Sequence, residues 1–409
     1  MMNSQSPALP GNKAGLTILL CFLATLCEGI DLQTAGVAAA GIRQQFHPDS
    51  QMLSYFFSAG TFGLFFGAIV GGRLADRIGR KGVLVGSILV FGVFSLATSL
   101  AWDLESLAVA RLLTGLGLGG ALPNIVSIGS ESASENRRSA SVATIYAGTP
   151  LGGALASLVS LLTTSAHWSW IYIVGGVVPL IVAPIIAIWL PESAAFSRLK
   201  FQAATPGAGA RGWFAFLQQG RAGRTVLLWV SFLLSLLTLY LLLNWLPTLL
   251  ATSGFGKSLV AIAMIGFNFG GFLSSLYIGS HLESQLRHRG VVLVFVGMPV
   301  LLLLLAQGSK LAALLAIVTA LLGVAVIAAQ AILYAYAPLC YPTRMRGTGV
   351  GFAVAMGRIG SIAGPLLGGV LVGSGRTPSE VLTGLLPIVC VGSVCAIALA
   401  WRQPPAQPD

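Results

Sequence analysis

The stretch Gly71-Gly-Arg-Leu-Ala-Asp76-Arg-Ile-Gly-Arg-Lys81 is a short basic turn held between two long apolar runs, 51–72 before it and 81–101 after it. Each run is about the ~20 residues that a helix needs to cross hydrocarbon. A tight charged turn between two such runs reads as one helix leaving a bilayer and the next returning to it. The same skeleton comes back at Gly279-Ser-His-Leu-Glu283, followed by Arg287 and Arg289: a glycine, three residues, an acid, then bases. One copy in each half of the chain predicts a duplicated helical membrane protein, a common transporter plan.

Outward from this turn the chain divides into twelve apolar spans, at about 16–40, 51–72, 81–101, 104–128, 139–163, 168–190, 225–250, 258–281, 290–307, 310–337, 347–372 and 381–401. Of its 409 residues 56% are hydrophobic and only 9% are charged, against roughly 25% charged in soluble domains. The runs are too long and too uniform for the alternating strands of a membrane barrel. The expected fold is an all-α membrane protein of twelve transmembrane helices in two pseudo-symmetric six-helix bundles, with the lipid bilayer as its first partner. The boundaries fall at 1–191 for the first bundle, 192–223 for a linker rich in Arg and small residues, and 224–409 for the second.

Charge sets the orientation. With both termini on one side, that side collects seventeen Lys and Arg residues, and the other holds only Arg43, Lys257, Lys310 and Arg376. Basic residues stay cytoplasmic, so both termini are expected in the cytoplasm and the protein in a cell inner (plasma) membrane. The net charge of +11 is therefore topological. No basic stripe interleaved with aromatics suggests nucleic acid. The N-terminus lacks a signal-peptide cleavage pattern, which makes the first span an anchor.

The spans contain few ionisable groups. Glu28 and Asp31 sit near the middle of the first span, Arg111 in the fourth and Arg358 in the eleventh. At 1.5 Å per residue all four reach comparable depths. A charge at that depth is costly and marks a pathway or a partner by default. Two readings stand side by side: a proton and anion site, or a static pair of Glu28 or Asp31 with Arg111 joining two helices.

Gly72-x3-Asp76-Arg77-x-Gly79-Arg80-Lys81 resembles the loop signature of the major facilitator superfamily at every defining position. The tract Arg111-Leu-Leu-Thr-Gly115-Leu-Gly117-Leu-Gly119 and Pro191-Glu192-Ser193 are similar to that superfamily as well. Glu28-Gly-Ile-Asp31 resembles the acid-Gly-x-Asp motif of its aromatic acid/proton symporter family, with Glu in place of the usual first Asp. So do Tyr240-Leu-Leu-Leu-Asn-Trp-Leu-Pro247, Tyr341-Pro-Thr-Arg-Met-Arg346 and Gly357-Arg358-Ile-Gly360. Within that family, EGIDLQTAGVAAAGI from Glu28 and AWDLESLAVARLLTGLGLGGALPN from Ala101 are similar to members that carry 3-(3-hydroxyphenyl)propionate. The resemblance covers nearly the whole chain, least at 197–222.

The resemblance implies proton-coupled import of a small aromatic monocarboxylate, with protons as the second partner. In that frame Asp31 carries the proton, Glu28 modulates it and Arg111 resets it. Arg358, with a fork suited to a planar anion, takes the carboxylate. Tyr146, Tyr240, Asn244, Gln330 and Tyr334 are expected in the substrate site, with Trp245, Asn268 and Tyr336 as further candidates. Gly72, Asp76, Arg77, Gly79 and Arg80, with Glu131 and Arg138, are expected to gate the inner face through salt links that break as the halves rock.

Other signals fail their context. Gly115-Leu-Gly-Leu-Gly-Gly120 fits a dinucleotide fingerprint but lies in an apolar helix with no strand before it. Ser253-Gly-Phe-Gly-Lys-Ser258 lacks the first glycine of a phosphate loop. The five cysteines and four histidines make no metal or disulfide pattern, so no cofactor or metal is expected, nor any enzymatic nucleophile with its base. The protein is expected to be monomeric. One rival is a proton-coupled exporter of drugs or metabolites with the same fold, which the anion-binding Arg358 disfavours. A sensor of that fold is another, and the chain carries no signalling domain that would suit it.

Overall fold

The computed structural model describes residues 11–133, 138–193, 222–281, 287–308, 311–341 and 346–402. Its helices are α1 (Gly11–Phe46), α2 (Ser50–Ile78), α3 (Arg80–Ser99), α4 (Leu104–Ser132), α5 (Arg138–Leu162), α6 (Ser169–Trp189), α7 (Ala222–Thr252), α8 (Lys257–His281), α9 (Arg287–Ala306), α10 (Ala312–Tyr336), α11 (Arg346–Gly373), α12 (Pro378–Gly384) and α13 (Leu386–Trp401). Twelve stretches of these are long and apolar enough to span a membrane, α12 and α13 making the last. The protein is thus a multi-pass, all-helical membrane protein. The linker expected at 192–223 lies almost wholly outside the described residues.

Local chemistry sets the helix ends. Asp49 accepts a hydrogen bond from the Met52 backbone at 2.7 Å and starts α2. Asp103 with Ser106, and Thr377 with Glu380, form reciprocal capping boxes at α4 and α12, each satisfying two otherwise unpaired donors. Gly79 joins α2 to α3 at φ 99°, a conformation that disfavours any side chain.

Two helix pairings recur in both halves. α2 packs on α4 and α1 on α5; α8 packs on α10 and α7 on α11. Hydrocarbon gives no hydrophobic drive between helices, so small residues that let backbones touch decide which surfaces meet. The glycine pairs of α5 and α11 divide this work alike. Gly152 seats on the Leu26 carbonyl of α1, and Gly368 on the Trp245 ring of α7, each within its own half. Their neighbours Gly153 and Gly369 face across, to Asn268 of α8 and Ser54 of α2. The internal repeat thus reaches the level of single contacts.

The turn at 71–81 lies at the basic end of the molecule. Arg80 pairs with Glu131, and Ser193 Oγ donates to Glu131 at 2.6 Å. Glu192 accepts from the backbone N–H groups of Arg80 and Lys81 at 3.0 and 3.1 Å, capping α3. Among the described residues, these contacts tie α3, α4 and the end of α6 together. Gly72 has open space around it, whereas Gly71 meets the Gly120 backbone. Arg77 is exposed. The side chains of Asp76 and Arg138 lie outside the described residues.

At the opposite end the halves close on each other. Phe57 of α2 meets Trp245 of α7 edge-on at 5.3 Å, and Trp245 donates to the Pro365 carbonyl at 2.9 Å. Ser58 donates to the Ile362 carbonyl at 3.2 Å. Lys257 reaches from α8 to the Thr163 carbonyl at the end of α5.

Candidate functional site

Between the halves lies a cavity of about 630 Å³, within the range of small-molecule sites. Its walls reach Leu122 and Ser130 of α4, Val142 of α5, Ser275 and Ile278 of α8, and Pro338 and Leu339 beyond α10. All of these stand toward the basic end, so the cavity runs toward that end and stops at the closed one.

Glu28, Tyr146, Tyr240, Gln330, Tyr334 and Arg358, all candidates named from sequence, line it. Both charged groups are buried, Glu28 at 3% exposure and Arg358 at 9%. Of the described residues, the two are the only Glu and Arg side chains in its lining. Among the described residues Arg358 forms no ion pair and gives one hydrogen bond, to the Tyr240 hydroxyl at a long 3.4 Å. Glu28 Oε2 is buried with no hydrogen-bond partner. The site therefore holds a guanidinium with spare donors beside a carboxyl that nothing fully satisfies.

The remaining walls are aromatic and apolar. Tyr146 of α5 and Tyr334 of α10 stack across the halves, centroids 5.6 Å apart and 28° from parallel. Phe232 meets Tyr334 edge-on at 5.1 Å. Leu236, Leu239, Leu243 and Ile327 fill the space between.

Asp31 and Arg111 are elsewhere. Neither lines the cavity; they face each other inside the first half. Arg111 Nη1 donates to both Asp31 oxygens at 2.9 and 2.8 Å, and its guanidinium lies 5.7 Å from the Tyr172 ring. Gly60 leaves the room that this guanidinium occupies. One helical turn thus sends its two acids to different places. Gly29 between them packs on the Thr149 carbonyl of α5, which fixes the rotation of α1 and hence the parting of Glu28 from Asp31.

Asn244 is not in the cavity wall; its amide donates to the Tyr240 carbonyl one turn back, at 2.7 Å. Trp245 and Tyr336 are likewise outside it. Asn268 does line it, and donates to Gln33 at 3.0 Å across the halves. Gln33 escapes the sequence reading, as does Ser235, which binds Gln330. The signal for Gln33 is an amide five residues beyond Glu28 in a membrane span. Ser235 had no signal, since hydroxyls that bond back along their own helix are common.

Twelve spans, halves paired alike and a charged cavity between them define a transporter rather than an enzyme. The chain belongs to the major facilitator superfamily, whose family model matches residues 21–306. A 3-(3-hydroxy-phenyl)propionate transporter of Escherichia coli (strain K12) is 42% identical over 100% of this chain and 99% of its own length. The 4-hydroxybenzoate transporter PcaK of Pseudomonas putida is 35% identical, over 93% of this chain and 91% of its own. Among solved structures a point mutant of the nucleoside transporter NupG aligns with a TM-score of 0.72 at 14% identity, covering 95% of this chain and 100% of its own; that likeness concerns the fold alone.

Proposed function

We propose that the protein is a proton-coupled importer of an aromatic monocarboxylate, 3-(3-hydroxyphenyl)propionate or a close relative, working by alternating access. The membrane is the cytoplasmic one, both termini face the cytoplasm, the basic end is the inner end, and the chain acts as a monomer. The conformation described is then the inward-open one. The names of the two relatives support the substrate class, and the excess of basic residues at one end supports the orientation.

The observation that carries the reading is the pair Glu28 and Arg358 on one buried cavity with a stacked tyrosine wall. When ionised, Glu28 competes with a substrate carboxylate for the same guanidinium. A proton on Glu28 removes that rival, and Arg358 is then free to take the substrate in its planar fork. Proton and anion enter together, so the loaded cavity carries no added charge, which suits a site that must pass through a closed, dry state. Tyr146 and Tyr334 offer π-faces to the ring.

Asp31 has another role in this scheme than the one expected from sequence. Paired and sealed with Arg111, it holds α1 against α4 and so keeps Glu28 turned to the cavity. Glu28 is the better placed carrier. The exporter alternative finds less support, because an unpaired cavity guanidinium suits an anion and repels a cationic drug.

Uptake of labelled 3-(3-hydroxyphenyl)propionate by cells producing the protein, with and without a protonophore, tests this reading. Accumulation that collapses on adding the protonophore is expected. Accumulation that persists unchanged would exclude proton coupling.

A further inference from the structure

Gln330 carries an unsatisfied group that the scheme above does not use. Its Nε2 donates to Ser235 Oγ at 2.7 Å, while its Oε1 is buried with no hydrogen-bond partner. The residue lies on α10, lines the cavity, and is 8% exposed. A buried acceptor left open costs stability. Leu236 and Ile327, next to Ser235 and one turn from Gln330, line the same cavity and offer no polar partner to Oε1. Gln330 lines the cavity and the torsion that turns its amide plane is soft, so a turn of the amide can present Oε1 to a ligand there.

We infer that the Gln330–Ser235 pair is the acceptor subsite for a ring hydroxyl, and that it makes the transporter selective for phenolic over unsubstituted aromatic acids. This rests on the proposed transport of aromatic acids and adds the part of the ligand that Gln330 reads. Arg358 holds the carboxylate, the tyrosines hold the ring, and Gln330 Oε1 accepts from the phenol O–H. A site built around such a bond rejects the analogue lacking the donor, because the buried acceptor then stays unpaired.

The test compares half-saturation concentrations for uptake of 3-(3-hydroxyphenyl)propionate and 3-phenylpropionate, acids that differ only in the hydroxyl. In the unaltered protein the phenol is expected to bind more tightly by about tenfold or more, the size of one good hydrogen bond to a buried group. Gln330→Leu is expected to bring the ratio close to one, chiefly by weakening the phenol. Gln330→Met, flexible and of similar length, gives the same readout should the leucine variant fail to reach the membrane. An unaltered protein that takes both acids equally well, or a ratio unchanged in either variant, would overturn the inference. A protein that takes up neither acid would instead overturn the aromatic-acid reading beneath it.

Discussion

The two acids of the first helix show how much a single helical step decides. Glu28 stands in the cavity beside Arg358, and Asp31 is locked to Arg111 with 0% exposure. Their substitutions are expected to fail in different ways. Glu28→Gln resembles the protonated acid permanently, so exchange of labelled for unlabelled substrate should persist while proton-driven accumulation is lost. Accumulation at the original level in that variant would remove Glu28 from the proton path. Arg358→Lys keeps the charge and loses the fork; the half-saturation concentration should rise about tenfold, and an unchanged value would place the carboxylate elsewhere. Asp31→Asn leaves Arg111 buried and uncompensated, at a cost of about 3–5 kcal/mol. Thermal unfolding of the purified variant in detergent should show that loss, and an unaltered midpoint would mean the pair contributes nothing to the fold.

At the scale of helices, the apolar spans were legible in the sequence, because length is a local property. Rotation of one helix against another was not. Whether Glu28 or Asp31 meets the cavity depends on Gly29 docking on the Thr149 carbonyl, a contact 120 residues apart that no local pattern encodes. The same holds for Asn244, which reads as a site amide but turns back onto its own helix, and for Gln33 and Asn268, which gain meaning only by meeting. The basic turn was legible as a motif but not as a geometry. Its contacts among Arg80, Glu131, Glu192 and Ser193 join α3, α4 and the end of α6, a meeting that no local pattern encodes. The paired glycines give a direct check: Gly72→Ala faces open space and should leave the folded yield unchanged, whereas Gly71→Ala meets the Gly120 backbone and should lower it. Equal yields of the two would show that α2 and α4 do not approach as closely as described.

Across the whole molecule, the two halves touch at the end away from the basic turns and part toward it. Phe57 with Trp245, Ser58 with the Ile362 carbonyl, and Lys257 with the Thr163 carbonyl form the closed side. Each contact pairs a group of one half with a group of the other, so rocking the bundles must break them before the cavity can open outward. The tyrosine stack, Gln33–Asn268 and the Glu28–Arg358 couple sit at the same seam, where a bound ligand can bias which side is open. The central claim is that substrate and proton cross together through this seam with Glu28 as the carrier. It is tested by reconstituting the purified protein into vesicles holding a pH-sensitive dye and adding 3-(3-hydroxyphenyl)propionate outside, alongside vesicles that contain no protein. The account predicts that the lumen acidifies more with the unaltered protein than in protein-free vesicles, and no more than in protein-free vesicles with Glu28→Gln. Labelled substrate entering without that acidification, or the same acidification in the variant, would contradict it.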